Sequence, residues 1–387
     1  MINSKFDAVL KNQKCMFCSL IIIFSLLLPE LYAWGPIAHM KINYIAFDRA
    51  AANMKNSFVI PQAMKDNFVG GGPAPDIRQT MTNPFLELFH NDIPAVLEMI
   101  KIARQNQEYG TEDVAEALGW AGHLFAELYS AHTPRGYPAT KKTFRFNDLG
   151  ANHLITEFCV DLITYWEMRK EFKSQRLFVP EKLLESAMSS KKALYKNTFP
   201  LSASQIRNQT SNFIPTVIGI RIIAEYLISE RPEMIKQMDE FFSDRNRAFS
   251  ESIEDVTLML ESYGRKGLSK ELSGSADENI KYDKPSGTLA ARAKTFVLNR
   301  ISRALDSELF NSFINTSGRI SMKGTLSTQT LREHFKKIVQ RFANSKAQTN
   351  TPKEILVRRF MEGLLLHKDL SFIQVLSFAE EGVSPTK

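Results

Sequence analysis

Cysteine is nearly absent from this chain. Only Cys15, Cys18 and Cys159 occur among 387 residues. The first two fall in a segment that reads as a leader, so the remainder keeps one thiol and has no internal disulfide. Stability must then come from the core, from bound metal, or from both. Cys18 precedes the apolar run instead of following it, which argues against a lipidated cysteine. Long hydrophobic runs are also lacking. The run Ser19 to Leu28 is too short for a span of roughly 20 residues. Ile214 to Ile228 is interrupted by Arg221 and Glu225. Period-2 alternation is scarce, which argues against a sheet, and no internal repeat is present.

Residues 1–33 carry Lys5, Lys11 and Lys14, the apolar run, then Pro29 and Leu31-Tyr32-Ala33. A charged start, a short apolar centre and a small residue at the end form the pattern of a signal peptide. The expectation is cleavage after Ala33 and a secreted or periplasmic protein. Trp34 becomes the first residue, five before His39. An α-amino group has a pKa of about 7.7–8, so near neutral pH it deprotonates easily enough to bind a metal. Cleavage would create a ligand as well as release a protein.

The formal charge is +7. Three lysines less Asp7 and Glu30 give the leader +1, leaving the mature chain near +6. That charge suits anionic partners such as a phospholipid surface or nucleic acid, and equally serves solubility.

What is abundant is helical periodicity, so the expected fold class is all-α. From Thr111 to Ser130 the residues Val114, Leu118, Ala121, Phe125 and Leu128 make an amphipathic stripe. Similar patterns cover Pro180 to Tyr195, Ser202 to Ile228, Pro232 to Tyr263, Thr288 to Phe313, Ser327 to Phe342 and Thr351 to Leu366. Residues 264–287 are rich in Gly, Ser and charge. They read as a linker between a domain at 34–263 and a C-terminal helical region at 288–387, or as a long loop within one domain.

Five of the seven histidines, His39, His90, His123, His132 and His153, fall between residues 34 and 153. His334 and His367 read as ordinary helical residues. His123 and Glu127 share a helix face, away from the apolar stripe. A helix packed on one side that presents such a pair on the other belongs inside a bundle. His153 and Glu157 repeat the spacing, and paired motifs of this kind on facing helices build bundle metal sites. Imidazole with carboxylate suits zinc. His132 lies five residues past Glu127, about 140° around the helix. Pro134 disfavours helix at Thr133, so the helix should end near Ser130 and free His132 for a second metal or for a capping or surface role. Asp76, after Gly70-Gly71-Gly72-Pro73-Ala74-Pro75, either caps the next helix or presents a carboxylate to metal or water. His90 follows Phe89.

Taken in order behind a leader, Trp34, His39, Asp76, His90, His123, Glu127, His132, His153 and Glu157 resemble the zinc-dependent phospholipase C family. That family shares an α-helical superfamily with single-strand-specific zinc nucleases. The likeness covers about residues 34–160. It implies a multi-helix bundle holding up to three zinc ions. One set would be Asp76, His90, His123 and Glu127, and a second His132, His153 and Glu157. A third would be the amino and carbonyl groups of Trp34 with His39, bridged by Glu127. It makes Asp76 the candidate general base. The family usually has Asp where Glu127 stands, so either the bridging distance changes here or the bridge is lost.

The Trp34–His39 spacing is closer to the nucleases. Glu157 and the run Leu118-Gly119-Trp120-Ala121-Gly122-His123 look more like the phospholipases, and the balance favours phospholipase C acting on phospholipid. A non-catalytic, zinc-stabilised binding protein is the third reading. Arg332, Lys336, Lys337 and Arg341 among Phe335, Ile338, Val339 and Phe342 form a basic amphipathic pattern, suited to transient contact with an anionic membrane or to a solvated helix.

Overall fold

The computed structural model describes residues 34–55, 58, 60–81, 83–130, 149–172, 175–195, 199–266 and 352–381. The leader, the loop carrying His132, and nearly all of the expected linker lie outside these residues. So do the patterns at 288–313 and 327–342. The structure is 82% helical, and no strand occurs among the described residues, which makes the fold all-α.

The helices are α1 (Pro36–Met54), α2 (Lys65–Gly71), α3 (Pro84–Asn91), α4 (Ile93–Gln105), α5 (Thr111–Ser130) and α6 (Leu149–Glu167). Then come α7 (Arg169–Phe172), α8 (Glu181–Ser190), α9 (Ala203–Glu230), α10 (Pro232–Phe241), α11 (Arg245–Lys266), α12 (Pro352–Leu365) and α13 (Phe372–Glu381). A 3-10 turn, Ala74–Thr80, joins α2 to α3. The single pattern expected over Pro232 to Tyr263 is broken at residues 242–244, between α10 and α11.

Helix α5 is the axis of the bundle, packed by α1, α2, α4 and α11. Every residue from Ala115 to Glu127 is buried, so its polar face is as enclosed as its apolar stripe. Gly119 is what permits this. A Cβ there would overlap the carbonyl oxygen of Phe68, so only glycine lets α2 and α5 touch backbone to backbone. That contact carries the end of α2 and the following turn to the side of α5. Helix α3 starts on Asn83, whose side chain accepts from the N–H groups of Phe85 at 2.9 Å and Leu86 at 3.4 Å. This satisfies amides that the first helical turn leaves open, and aims His90 at α5.

Helix α9 is long and apolar enough, by length and composition, to cross a membrane. In this fold it packs on α6 and on the turn that carries Asp76. Its Glu225 accepts from Tyr165 and Arg169 on the α6–α7 side. Buried Arg245 pairs with Glu167 and Asp239, and Glu167 also takes Lys41 of α1. Four helices, α1, α6, α10 and α11, thus meet at one polar node.

The final helices join the same hydrophobic core. Phe372 meets Phe241 edge-on at 5.3 Å. Arg231, buried after α9, donates to the carbonyls of Gly363, Leu364 and Leu370, the last two at 2.6 Å.

Candidate metal centre

Four residues from three elements converge beside α5. Asp76 comes from the 3-10 turn, His90 from α3, and His123 and Glu127 from one face of α5. Each offers a ligand atom, and these atoms lie within 4.8 Å of one another. All four residues are buried.

The outer nitrogens orient the rings. His123 Nδ1 is 2.9 Å from the carbonyl of Gly72, an oxygen that can only accept. His90 Nδ1 is 2.9 Å from Asn91 Oδ1. Asn91 Nδ2 donates to Glu87, which is itself held by Arg78. Each Nδ1 therefore carries the hydrogen, and each Nε2 turns its lone pair inward. Such outer partners fix the tautomer of a ligating histidine.

The two Nε2 atoms are 3.2 Å apart, and His123 Nε2 is 3.0 Å from Glu127 Oε1. Tetrahedral coordination at about 2.0–2.1 Å places ligand atoms about 3.3 Å apart. Asp76 Oδ1, 3.6 Å from His90 Nε2, accepts no hydrogen bond. Two facing lone pairs and two buried carboxylates repel one another unless a cation stands between them. The arrangement can hold a metal ion.

His39 joins from α1. Its Nε2 is 3.3 Å from Glu127 Oε1, and neither ring nitrogen makes a hydrogen bond. Glu127 thus stands between His39 and His123. Burial pushes the His39 imidazole down to about 4, and His123 adds to the push. His90 is lowered by burial and by Arg78. Both are neutral at pH 7, the form that ligates metals. Burial would also lower His123, yet Glu127 and Asp76 raise it. The carboxylates draw a positive charge to that nitrogen. Burial alone would raise Asp76, but His123 and the neighbouring His90 hold it below the usual carboxylate range.

Trp34 is buried at the start of α1. Its indole donates to Ser252 at 3.1 Å and stacks on Phe249 at 4.5 Å. Of the expected second set, Glu157 is half-buried on α6 and outside the four-residue cluster. His153 is on the same helix, with its backbone alone described, and His132 lies outside the described residues. Sequence reasoning did not find Gly72, Asn91, Arg78 or Asp161 of α6 as supports. For Asp161 the signal was present, since it continues the four-residue spacing of His153 and Glu157.

Fold and site together define an all-α protein with a buried carboxylate–imidazole cluster able to take a metal ion. No protein-family model matches the chain, and no solved structure matches it. A curated relative, an uncharacterized protein of Archaeoglobus fulgidus, is 27% identical over 134 residues, 33% of this chain. The match spans 43% of that relative, less than half of its length.

Proposed function

We propose that this protein is a zinc-dependent phosphodiester hydrolase, and that its substrate is a phospholipid cut on the glycerol side of the phosphate. Water and the lipid would yield diacylglycerol and a phosphorylated head group. The observation that carries the reading is the inward convergence of Asp76, His90, His123 and Glu127, with His39 against Glu127. The likeness to zinc-dependent phospholipases C supports it. Asp76, His90, His123 and Glu127 would hold one zinc, and His39 with the amino end of Trp34 a second, bridged by Glu127. His132, His153 and Glu157 would hold a third.

Zinc, when bound, polarises phosphoryl oxygens and lowers the pKa of water. The protein's own groups do the rest. Gly72 and Asn91 keep the Nε2 atoms of His123 and His90 aimed inward. Asp76 would take the proton of the attacking water. Burial strengthens each of these interactions by excluding solvent.

The test is zinc-loaded protein beginning at Trp34, assayed in parallel on phosphatidylcholine and single-stranded DNA. Phospholipid hydrolysis that disappears on zinc removal supports the reading. Asp76→Asn is expected to lower turnover far more than zinc content. Cleavage of DNA with phospholipid left intact would make the protein a nuclease, the reading favoured by the Trp34–His39 spacing. Activity on neither would leave a zinc-stabilised helical binding protein.

A further inference from the structure

Asp161 sits on α6 one turn beyond Glu157 and two beyond His153, so the three share a face. It is 1% exposed. Its Oδ1 accepts from the N–H of Ala38 at 2.8 Å, and the carboxylate also accepts from Ile37. Those are two of the amides that the first turn of α1 cannot satisfy internally. His39 is the next residue, so Asp161 sets the turn that aims His39 at Glu127.

Oδ2 has a different environment. It is buried and accepts no hydrogen bond. It presses on Gly35, where a Cβ would overlap the carboxylate. The charged groups acting on it, Glu157 and Asp76, repel it. A buried carboxylate oxygen without a donor is strongly disfavoured in a folded protein. A missing donor beside Gly35 is therefore called for, and the adjacent residue is Trp34.

We propose that Asp161 receives the amino terminus made by cleavage after Ala33. Its Oδ2 accepts a hydrogen from the α-amino group of Trp34, while Oδ1 holds the first turn of α1. The proposal rests on the reading that Trp34 begins the mature chain and supplies a metal ligand. An amine that gives its lone pair to a metal keeps two hydrogens to donate, and one of them goes to Asp161. With no metal the same atoms form an ammonium–carboxylate pair. Asp161 is a positioning residue, acting through Trp34 and His39.

The experiment uses protein beginning at Trp34, as parent and as Asp161→Asn. The asparagine oxygen can still accept from Ile37 and Ala38, but its amide replaces Oδ2 with a donor. Labelling of the α-amino group by an amine-reactive reagent is followed in metal-free protein. Loss of the carboxylate removes the acceptor that holds the amino group, and labelling should be about tenfold faster. Equal rates in parent and variant would overturn the proposal. Should Asp161→Asn fail to fold by circular dichroism, Gly35→Ala displaces the same oxygen and is expected to speed labelling likewise. Zinc per chain then tests the underlying reading separately. The parent should hold one more zinc than Asp161→Asn. A labelling difference without that zinc would sink the amino-terminal metal and leave the role of Asp161 standing.

Discussion

His39 and His123 lie face to face, with ring centroids 3.8 Å apart and planes inclined by 23°. They come from different helices, α1 and α5, and Glu127 Oε1 is within 3.3 Å of the Nε2 of each. One carboxylate oxygen therefore faces two imidazoles, and His39 shares it with the four-residue cluster.

Glu127→Ala is expected to lose at least one bound metal, because it removes a ligand and the charge that offsets clustered cations. Glu127→Asp should keep the metal bound by His90 and His123. Metal analysis of both variants beside the parent checks this. Full occupancy in Glu127→Ala would remove Glu127 from the ligand set.

Metal affinity should fall as the pH falls. His123 is raised above its ordinary value of 6.5, so its ring nitrogen takes up a proton on descending through a pH above 6.5. Metal must displace that proton. Competition titrations against a chelator of known affinity, run at pH steps from 8 downward, are the measurement. Affinity that stays level down to pH 6 would contradict the cluster electrostatics.

Glu116 offers a test of stability apart from the site. Burial raises its carboxyl from 4.5 to about 7, despite the bond from Asn67. A carboxyl raised on folding is penalised when ionised. Stability is therefore highest below pH 4.5 and is lost progressively up to about pH 7. Glu116→Gln should recover up to about 3 kcal/mol at pH 8 and little at pH 4. Urea unfolding at the two pH values decides it, and an equal effect at both would refute the assignment.

Arg231 ties the last helices to the body through three backbone carbonyls. Arg231→Ala would leave those acceptors buried without a donor, at a cost of about 3–5 kcal/mol. Hydrogen exchange should quicken first in α12 and α13, and only later in α5. Uniform loss of protection would show that the clamp has no local role.

Much of α5 was legible in the sequence. The stripe Leu118, Ala121 and Phe125 is buried, and His123 with Glu127 faces the cluster because the four-residue period needs only local geometry. Asp76 and His90 carried no such periodic signal. Their approach depends on α2 meeting α5 where Gly119 lies against the carbonyl of Phe68, a long-range contact that no local pattern encodes. Arg231 and Arg245 look like surface cations in a polar stretch. Only the folded arrangement shows carbonyls and carboxylates around them. Asp161 did continue the four-residue spacing of His153 and Glu157, but its partner atoms are the backbone amides of Ile37 and Ala38, so its role had no trace in residue identity.

The Arg231 clamp has a consequence for biosynthesis. A chain emerging from its amino end makes α1 to α11, with the whole metal cluster, well before residues 363–370 exist. Until then Phe241 and Phe242 lack their contacts with Phe372, and the Arg231 guanidinium lacks the carbonyls of Gly363, Leu364 and Leu370. The nascent protein is most open to chaperones and proteases during that interval.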